Sequence, residues 1–253
     1  MHEALVCSLQ ERTVLSRDSY LFRFSLPTDK SFGLPIGQHI RITAEIDGSP
    51  VSRSYTPTSK ESATGHFDLV VKVYRRQDRL RGQMSQYLES LKVGDTIDVF
   101  GPKGMFRYNK DGTCNIDGRD VAVKKFGFIC GGSGITPAFQ TLQAILDNPQ
   151  DKTSSWLISA NQKEEDILLR AELDRWAQEH GDRFKCFYTL DSEPLTGWKF
   201  GSGYVNEGMI AEHMPAPGPD TIVCLCGPPV MIDDTCIPLL KKAGFNDEQI
   251  FVF

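Results

Sequence analysis

Hydrophobic and polar residues alternate through the first part of the chain. Short runs rich in Val, Ile, Phe and Tyr are broken by Gly, Pro and Asp turns, and such runs predict half-buried strands. They cover residues 20–26, 39–46, 67–74 and 96–100. The one segment with helical spacing, residues 84–91, ends before a Gly94-Asp95 stop. Regularly spaced strands with a single helix predict an antiparallel β-barrel domain.

The pattern changes after a polar, turn-rich stretch at residues 109–125. Continuous apolar strands then alternate with helices, which predicts a Rossmann-like α/β domain with a parallel sheet. The strands are "FGFIC", "SWLISAN", "FKCFYTL", "TIVCLC" and the terminal "IFVF"; the helices cover residues 138–146, 167–179 and 207–213, with a last one opening at "GPPVMIDD". We therefore expect a barrel domain at 1–108, a linker at 109–125 and an α/β domain at 126–253.

Length and composition fit this division. At roughly 100–200 residues per domain, 253 residues predict two domains. A net charge of −5 without a long basic run argues against nucleic-acid binding. No apolar stretch approaches the ~20 residues that span a bilayer, and the first ten residues lack the apolar core of a signal peptide. We expect a cytoplasmic chain, or the soluble part of a larger or membrane-anchored protein.

The seven cysteines are scattered and include no C-x-x-C pair. This distribution argues against a disulfide framework and fits a reducing compartment. Cys224 and Cys226 would share one face of a strand, but no His or Cys cluster accompanies them to complete a metal site. We expect no bound metal.

The first candidate binding motif is Arg53-Ser54-Tyr55-Thr56. A flavin dinucleotide needs a positive group on its pyrophosphate, and Arg53 can hold phosphates by paired hydrogen bonds. Tyr55 would point the same way as Arg53 from a strand, and Thr56 offers a hydroxyl to a ring nitrogen. Taken alone, an ordinary exposed strand is the alternative.

The second motif is a glycine turn, Gly82-Gln83-Met84-Ser85, that leads into the short helix. Free backbone N–H groups and the positive end of the helix dipole make such a turn a phosphate site. The alternative is that Ser85 is only an N-cap residue.

Two further glycine motifs follow buried strands, at whose carboxyl ends ligands bind in parallel sheets. "GGSGITP", residues 131–137, would let the backbone approach a pyrophosphate, and its proline suits a first helical turn. It is not the G-x-G-x-x-G fingerprint, so it does not by itself indicate a dinucleotide. "CGPP", residues 226–229, would hold backbone still near a ligand, or is simply a structural turn.

Together and in this order, the four motifs resemble the NADH–cytochrome b5 reductase family within the ferredoxin–NADP reductase-like superfamily. The resemblance covers the whole chain and extends to "GLPIGQHI", "FDLVVKVY", "ANQKEEDILLRAELD" and "FVF". "RSYTPTS" and "ICGGSGITP" look most like the reductase module of assimilatory nitrate reductase. "YTLD" and "GYVNEGMI" look more like the stand-alone cytochrome b5 reductase.

The resemblance implies that FAD lies across the barrel, with its pyrophosphate on Arg53 and the short helix. The family often has Lys or Arg where Gln83 stands, so this chain lacks one of the positive charges that would face the phosphates. His39 matches a position that hydrogen-bonds beside the reactive ring together with Thr56. The implied FAD contacts are Arg53, Ser54, Tyr55, Thr56, Val70, Lys72, Arg75, Gln83, Met84, Ser85 and Thr136.

The resemblance also implies that NADH lies across the two later glycine motifs with its nicotinamide over the flavin. Cys226 would stand beside the nicotinamide and position it, since hydride transfer needs no nucleophile. The implied NADH contacts are Gly131, Gly132, Gly134, Asp191, Cys226, Gly227, Pro228 and Phe253. The implied catalytic residues are His39, Thr56, Thr136 and Cys226.

The implied reaction is hydride transfer from NADH to FAD, followed by single-electron transfer to a heme protein. The chain has no iron–sulfur cysteine set and no His-Pro-Gly-Gly heme motif. We therefore expect the acceptor to be cytochrome b5 or a fused b5-like heme domain. An alternative is that the chain is the cytochrome b reductase fragment of assimilatory nitrate reductase. A non-catalytic FAD-binding module is a second alternative, against which the intact Thr136, Asp191 and Cys226 argue.

Four arginines, Arg75, Arg76, Arg79 and Arg81, lie within "RRQDRLR" just before the phosphate turn. We hypothesise that they guide an acidic heme partner, which would make the association rate depend on salt. A solvated loop is the equal alternative.

We predict that Asp191 makes the enzyme prefer NADH to NADPH. In this superfamily the residues after the third strand of the nucleotide domain meet the adenosine ribose, where a carboxylate accepts hydrogen bonds from hydroxyls and repels a 2′-phosphate. Asp191→Thr should therefore raise kcat/KM for NADPH and lower it modestly for NADH. Steady-state kinetics at one ionic strength measure both values. An NADPH/NADH ratio equal to that of the wild type would place selectivity elsewhere.

Overall fold

The computed structural model describes residues 4–75, 82–192 and 196–253. The chain divides into two compact units, Met1–Met105 and Phe106–Phe253. Each unit has its own six-stranded sheet, antiparallel in the first and parallel in the second. The two-domain architecture is thus confirmed, while the boundaries at residues 108 and 126 stay predictions.

The first unit is an antiparallel sheet with one helix. Its sheet order is β4-β3-β6-β1-β2-β5. Beyond β4, the Thr58 N–H donates to the Asp68 carbonyl at 2.9 Å, and the Asp68 N–H donates to Ser59 Oγ at 3.1 Å. Asp68 lies on β5, so these bonds join the two outer edges of the sheet, as a barrel requires. The elements are β1 Leu5–Ser16, β2 Ser19–Ser25, β3 His39–Ile46, β4 Ser49–Tyr55, β5 His66–Lys72, α1 Gln83–Ser90 and β6 Thr96–Lys103.

Alternate residues of the strands fill the core of this unit. Phe22, Phe24 and Phe67 stack in series, with ring centroids 6.4 and 5.6 Å apart. Met84 and Leu88 on α1 are buried in the same core. The short helix is therefore fixed on the barrel by apolar packing, and its N-terminus takes a set position.

The second unit is a parallel sheet with helices, preceded by a small three-stranded antiparallel sheet. The parallel order is β13-β12-β11-β10-β14-β15. The strands are β7 Phe106–Tyr108, β8 Thr113–Ile116, β9 Arg119–Ala122, β10 Lys125–Gly131, β11 Ser154–Asn161, β12 Phe184–Leu190, β13 Gly201–Ser202, β14 Thr221–Cys226 and β15 Ile250–Val252. The helices are α2 Ile135–Leu146, α3 Arg170–Glu179, α4 Glu207–His213, α5 Pro229–Met231 and α6 Ile237–Lys242. A π-turn, Ile232–Cys236, joins α5 to α6, and 3₁₀ turns lie at Gly132–Gly134, Glu164–Asp166 and Asp247–Gln249.

Two local features differ from the expectation. The stretch at 109–125, expected to be a linker, carries β8 and β9 and groups with the second unit. The helix predicted at 167–179 begins only at Arg170, because Leu169 adopts a left-handed conformation with φ 58°. Ile167 and Leu168 are buried just before the helix, so their apolar character reflects burial in the core and not a helical conformation.

We predict that the Tyr108 hydroxyl stabilises the second unit. It donates to the buried Asp151 carboxylate, lies 3.1 Å from Thr153 Oγ1 and accepts the Gly112 N–H at 3.2 Å. Tyr108→Phe should lower the free energy of unfolding by about 1–3 kcal/mol, because a buried carboxylate oxygen loses its donor. Urea denaturation measures the difference. The matched control is Tyr204→Phe, whose ring is 75% exposed; equal stabilities of the two variants would contradict the prediction.

Candidate functional site

Arg53 and Tyr55 share one face of β4. In the β3–β4 register they lie opposite Ile42 and Ile40, which are fully buried, whereas Ser54 lies opposite Arg41 on the other face. Arg53 is exposed, and its Nη1 donates to the Ser52 carbonyl at 2.8 Å. A guanidinium has five N–H donors, so most of this one can still face an anion.

The Tyr55 side chain is a neutral aromatic group beside that cation. Burial raises the pKa of the Tyr55 phenol, and the nearby Arg53 charge lowers it by less. Tyr74 adds a further upward effect on the same pKa. The phenol can therefore hydrogen-bond without carrying charge at physiological pH.

The glycine turn before α1 docks onto the backbone that follows β5. Gly82 has φ 91°, and a Cβ there would lie 2.2 Å from the Tyr74 carbonyl oxygen. Ser85 Oγ donates to the Gly82 carbonyl at 2.9 Å and accepts the Tyr74 N–H at 3.1 Å. Gly82 is the N-cap residue, so the alternative that made Ser85 the N-cap is wrong. The Ser85 hydroxyl instead fastens the turn.

This turn fits a phosphate group. Gln83, Met84 and Ser85 form the first turn of α1. The backbone N–H groups of a first helical turn have no hydrogen-bond acceptor within the helix. The first turn contains no acidic side chain. With the exposed Arg53 guanidinium, the donor set of the described residues matches the pyrophosphate of a dinucleotide.

Three other predicted flavin contacts lie on or after β5. Val70 and Lys72 alternate with the core residues of that strand, and Lys72 Nζ lies 3.6 Å from Asp18 Oδ2. Arg75 Nη1 donates to Glu89 Oε2 on α1 at 2.9 Å. Lys72 and Arg75 are thus already paired within the unit, so a nucleotide would have to share them with these carboxylates.

Three of the four arginines in the steering hypothesis, Arg76, Arg79 and Arg81, lie outside the described residues. Arg75 is described, and its ion pair with Glu89 offsets part of its charge. The hypothesis of a salt-dependent docking surface stays a prediction.

His39 begins β3, and Thr56 directly follows the end of β4. The last β3–β4 pair is Ile40 with Tyr55, so both residues lie next to the same end of this strand pair. Burial and the Arg41 charge lower the pKa of His39, so its imidazole is neutral at physiological pH. A neutral ring donates from one nitrogen and accepts at the other, as the predicted role beside a flavin requires.

The two later glycine motifs are brought into backbone contact. They follow the adjacent parallel strands β10 and β14. Cys130 of β10 pairs with Cys226 of β14, so the two motifs begin at the same level of the sheet. A Cβ at Gly134 would lie 2.2 Å from the Cys226 carbonyl oxygen, so no larger residue fits there. Gly132 has open space on its Cβ side. Both motifs therefore lie at the carboxyl edge of the sheet, where a pyrophosphate could approach bare backbone.

Three predicted side chains surround this contact. Thr136 is buried on the first turn of α2, and its Oγ1 donates to the Ser133 carbonyl at 3.3 Å. Burial raises the pKa of the half-buried Cys226 thiol to about 11. The thiol stays protonated at physiological pH, which favours a positioning role over nucleophilic chemistry. Gly227 and Pro228 lead directly into α5.

The C-terminal Phe253 lies beside the strand that carries Cys226. Its N–H donates to the Leu225 carbonyl at 2.9 Å. Its ring lies 5.3 Å from both Phe106 and Phe251. The terminus is therefore held next to the end of β14.

Asp191 lies farther along the same edge, directly after β12. Its N–H donates to the Asn161 carbonyl at 2.9 Å, and its side chain is exposed. Partial burial raises the pKa of its carboxyl group. β12 and β10 are separated by β11, or roughly 10 Å at the usual strand spacing. A dinucleotide laid along the edge could thus reach both Asp191 and the glycine motifs.

Tyr204 is a candidate site residue that the sequence analysis did not single out. The Gly203 N–H donates to the Leu190 carbonyl at 2.8 Å, and Thr189 Oγ1 donates to the Gly203 carbonyl at 2.7 Å. These bonds bring Tyr204 beside Asp191, with its ring 75% exposed. An exposed aromatic face at a nucleotide edge can stack on a base. The signal was present in "GSGYVNEG", as an aromatic residue after a glycine-rich turn.

Within residues 4–75, 82–192 and 196–253, no helix is long and apolar enough to cross a membrane. The same residues contain no group of three or more His, Cys, Asp and Glu side chains that could hold a metal ion. All seven cysteines are free.

Comparison with known proteins agrees with this division. Residues 6–108 match the family model of an oxidoreductase FAD-binding domain, and residues 128–237 match that of an oxidoreductase NAD-binding domain. The chain is therefore an FAD- and NAD-binding oxidoreductase, with a fold that supports electron transfer from NADH to FAD.

The chain is similar to two kinds of enzyme. It is 47% identical to maize NADH nitrate reductase 1 over 99% of its own length, but it spans only 42% of that protein. It is 44% identical to rat NADH-cytochrome b5 reductase 3, over 97% of this chain and 85% of the rat protein. The cytochrome b5 reductase domain of Ulva prolifera nitrate reductase superposes with a TM-score of 0.93 at 41% identity, over 99% of this chain and 97% of the other. The chain belongs to the NADH–cytochrome b5 reductase family.

We predict that Arg53 contributes to FAD retention. Arg53→Ala should weaken FAD binding by about 1.5–3 kcal/mol, the size of a charged hydrogen bond. The bound FAD remaining after dialysis, read from visible absorbance per protein, measures the loss. Arg41→Ala is the matched control, because Arg41 is exposed on the opposite face of the neighbouring strand. Equal FAD content in the two variants would remove Arg53 from the site.

Proposed function

We propose that this chain takes hydride from NADH on its second unit, holds FAD on its first, and delivers single electrons to a b5-type heme. FAD, when bound, accepts the two electrons of a hydride and releases them one at a time. The observation that carries the proposal is the backbone contact between the "GGSGITP" and "CGPP" motifs, combined in the first unit with the exposed Arg53 guanidinium and the free N–H groups of the turn into α1. The proposed domains are residues 1–108 for FAD and 126–253 for NADH.

On the FAD side, we assign charged protein groups to binding of the pyrophosphate and neutral groups to binding of the flavin ring. Arg53 and the N–H groups at the start of α1 bind phosphate oxygens. His39 and Thr56 lie next to the Ile40–Tyr55 pair, and with Tyr55 they offer hydrogen bonds without net charge. Gln83 contributes its backbone N–H in place of the cation that the family often carries.

On the NADH side, the backbone of Gly131, Gly132 and Gly134 cradles the pyrophosphate. Cys226 and Thr136 orient the nicotinamide, because both have small polar side chains beside the contact of the two glycine motifs. Asp191 accepts hydrogen bonds from the adenosine ribose. The protein's contribution to hydride transfer is distance and orientation, which alone can supply large rate factors.

The acceptor is proposed to be cytochrome b5 or a fused b5-like heme domain. The similarity to rat NADH-cytochrome b5 reductase 3 over 85% of that protein supports a separate cytochrome b5. The higher identity to maize nitrate reductase supports the second candidate, a cytochrome b reductase module of assimilatory nitrate reductase. The free cysteines suit a reducing, cytoplasmic compartment.

We predict that anaerobic NADH will bleach the bound flavin and that the reduced protein will then reduce a b5-type heme. Stopped-flow absorbance follows both steps, first with NADH alone and then with cytochrome b5 or a nitrate reductase heme domain. Comparing kcat/KM for the two heme acceptors distinguishes the two candidates, and ferricyanide serves as a small acceptor that needs no docking surface. A flavin that NADH leaves oxidised would favour the non-catalytic module. Bleaching without reduction of either heme would overturn the acceptor assignment.

A further inference from the structure

We propose that Arg170 is a positioning residue for the adenosine half of NADH and acts through Trp198. The proposal rests on the proposed function, because it takes NADH as the ligand of the second unit. Arg170 itself lies at the start of α3, and the residues it would position are Asp191 and Tyr204 at the sheet edge.

Two carboxylates fix the Arg170 side chain at the start of α3. Its Nη1 lies 2.5 Å from Glu164 Oε1, and its Nε lies 3.4 Å from Asp174 Oδ2. Asp174 in turn accepts the Tyr188 hydroxyl hydrogen at 2.6 Å. The guanidinium is therefore oriented by partners on two sides and has little freedom to turn.

The oriented guanidinium lies against two aromatic rings. Its carbon is 5.7 Å from the centroid of the Tyr188 ring and 5.6 Å from that of Trp198, within the range of cation–π attraction. Tyr188 is a fully buried part of β12, so it supplies a rigid base. Trp198 lies outside any helix or strand, so backbone pairing holds it less than it holds Tyr188.

Trp198 begins a short segment, residues 198–204, that ends at the nucleotide edge. Its indole N–H donates to the Gly201 carbonyl at 2.8 Å, and its ring lies 5.2 Å from Phe200. Gly201 then pairs with Thr189 in β13. A Cβ at Gly201 would lie 2.9 Å from atoms of Phe187 and Met209, so the segment fits its place tightly.

The segment delivers Tyr204 to a position beside Asp191. Gly203 is held by two hydrogen bonds to the end of β12, the strand that Asp191 follows directly. A shift of Trp198 would move the 198–204 backbone against β12. Arg170 therefore controls where the base-stacking ring lies relative to the ribose-binding carboxylate, without touching the nucleotide.

The test separates the two halves of NADH. ADP-ribose is NADH without the nicotinamide, whereas reduced nicotinamide mononucleotide keeps the nicotinamide, its ribose and one phosphate and lacks the adenosine. Arg170→Met removes both the positive charge and the planar guanidinium group, whereas Arg170→Lys keeps the charge without the planar group. Arg175→Met is the matched control, since Arg175 forms an exposed ion pair with Glu179 on the same helix.

In Arg170→Met the Kd for ADP-ribose, measured by calorimetry, and the KM for NADH should rise about tenfold, as expected for two partly buried cation–π contacts. FAD content, kcat at saturating NADH with ferricyanide, and flavin reduction by reduced nicotinamide mononucleotide should match the wild type. Arg170→Lys should fall between Arg170→Met and the wild type. Arg175→Met should bind ADP-ribose as the wild type does.

An ADP-ribose affinity of Arg170→Met equal to that of Arg175→Met would overturn the proposal. So would a loss of flavin reduction by reduced nicotinamide mononucleotide as large as the loss of ADP-ribose binding, because that result indicates general damage. If Arg170→Met does not fold, Arg170→Lys and Trp198→Leu decide by the same comparison. Failure of the wild type to be reduced by NADH would instead count against the proposed function.

Discussion

Close approach of bare backbone at two places is the constraint on which both nucleotide sites depend. At Gly82 the turn into α1 presses against the Tyr74 carbonyl, and at Gly134 the turn into α2 presses against the Cys226 carbonyl, each leaving only 2.2 Å for a Cβ. Each contact sets a helix start beside a strand end. Because the unpaired N–H groups of a helix start attract phosphate, these two contacts set the position of each proposed pyrophosphate site.

The charges of the predicted site residues fit these positions of the phosphate groups. Arg53 and Asp191, two of the charged members of the predicted sites, are exposed side chains assigned to phosphate and ribose. The groups assigned near the reacting rings are held neutral: burial raises the pKa values of Tyr55 and Cys226 and lowers that of His39. Neutral donors and acceptors orient a ring without stabilising a fixed charge beside it. Such an arrangement suits hydride transfer, in which the protein sets geometry more than it supplies reactive groups.

The architecture could be predicted well from the sequence because the spacing of apolar residues is regular within each domain. Strand β3, helix α4 and the position of the two later glycine motifs at the carboxyl ends of parallel strands were all predicted from local pattern and from the rules for parallel sheets. Strands β8 and β9 were missed because they are four residues long, and Arg119–Ala122 buries no side chain fully. Leu169 was misassigned because apolar spacing does not distinguish a helical turn from a buried left-handed one.

The site was harder to predict where a side chain's role depends on a distant partner. Ser85 reads as a cap or a phosphate ligand until the Tyr74 N–H is placed on its hydroxyl. Lys72 reads as a free cation until Asp18 is placed beside it. Arg170 lies on α3 and Trp198 lies in an irregular segment after β12, and both lie against the Tyr188 ring of β12. A periodicity argument describes one element at a time, whereas binding of a dinucleotide depends on how neighbouring elements fix one another's side chains. The strands and turns that form a cofactor edge can therefore be read from a single chain, but the pairs that set the position of each residue on that edge need the folded structure.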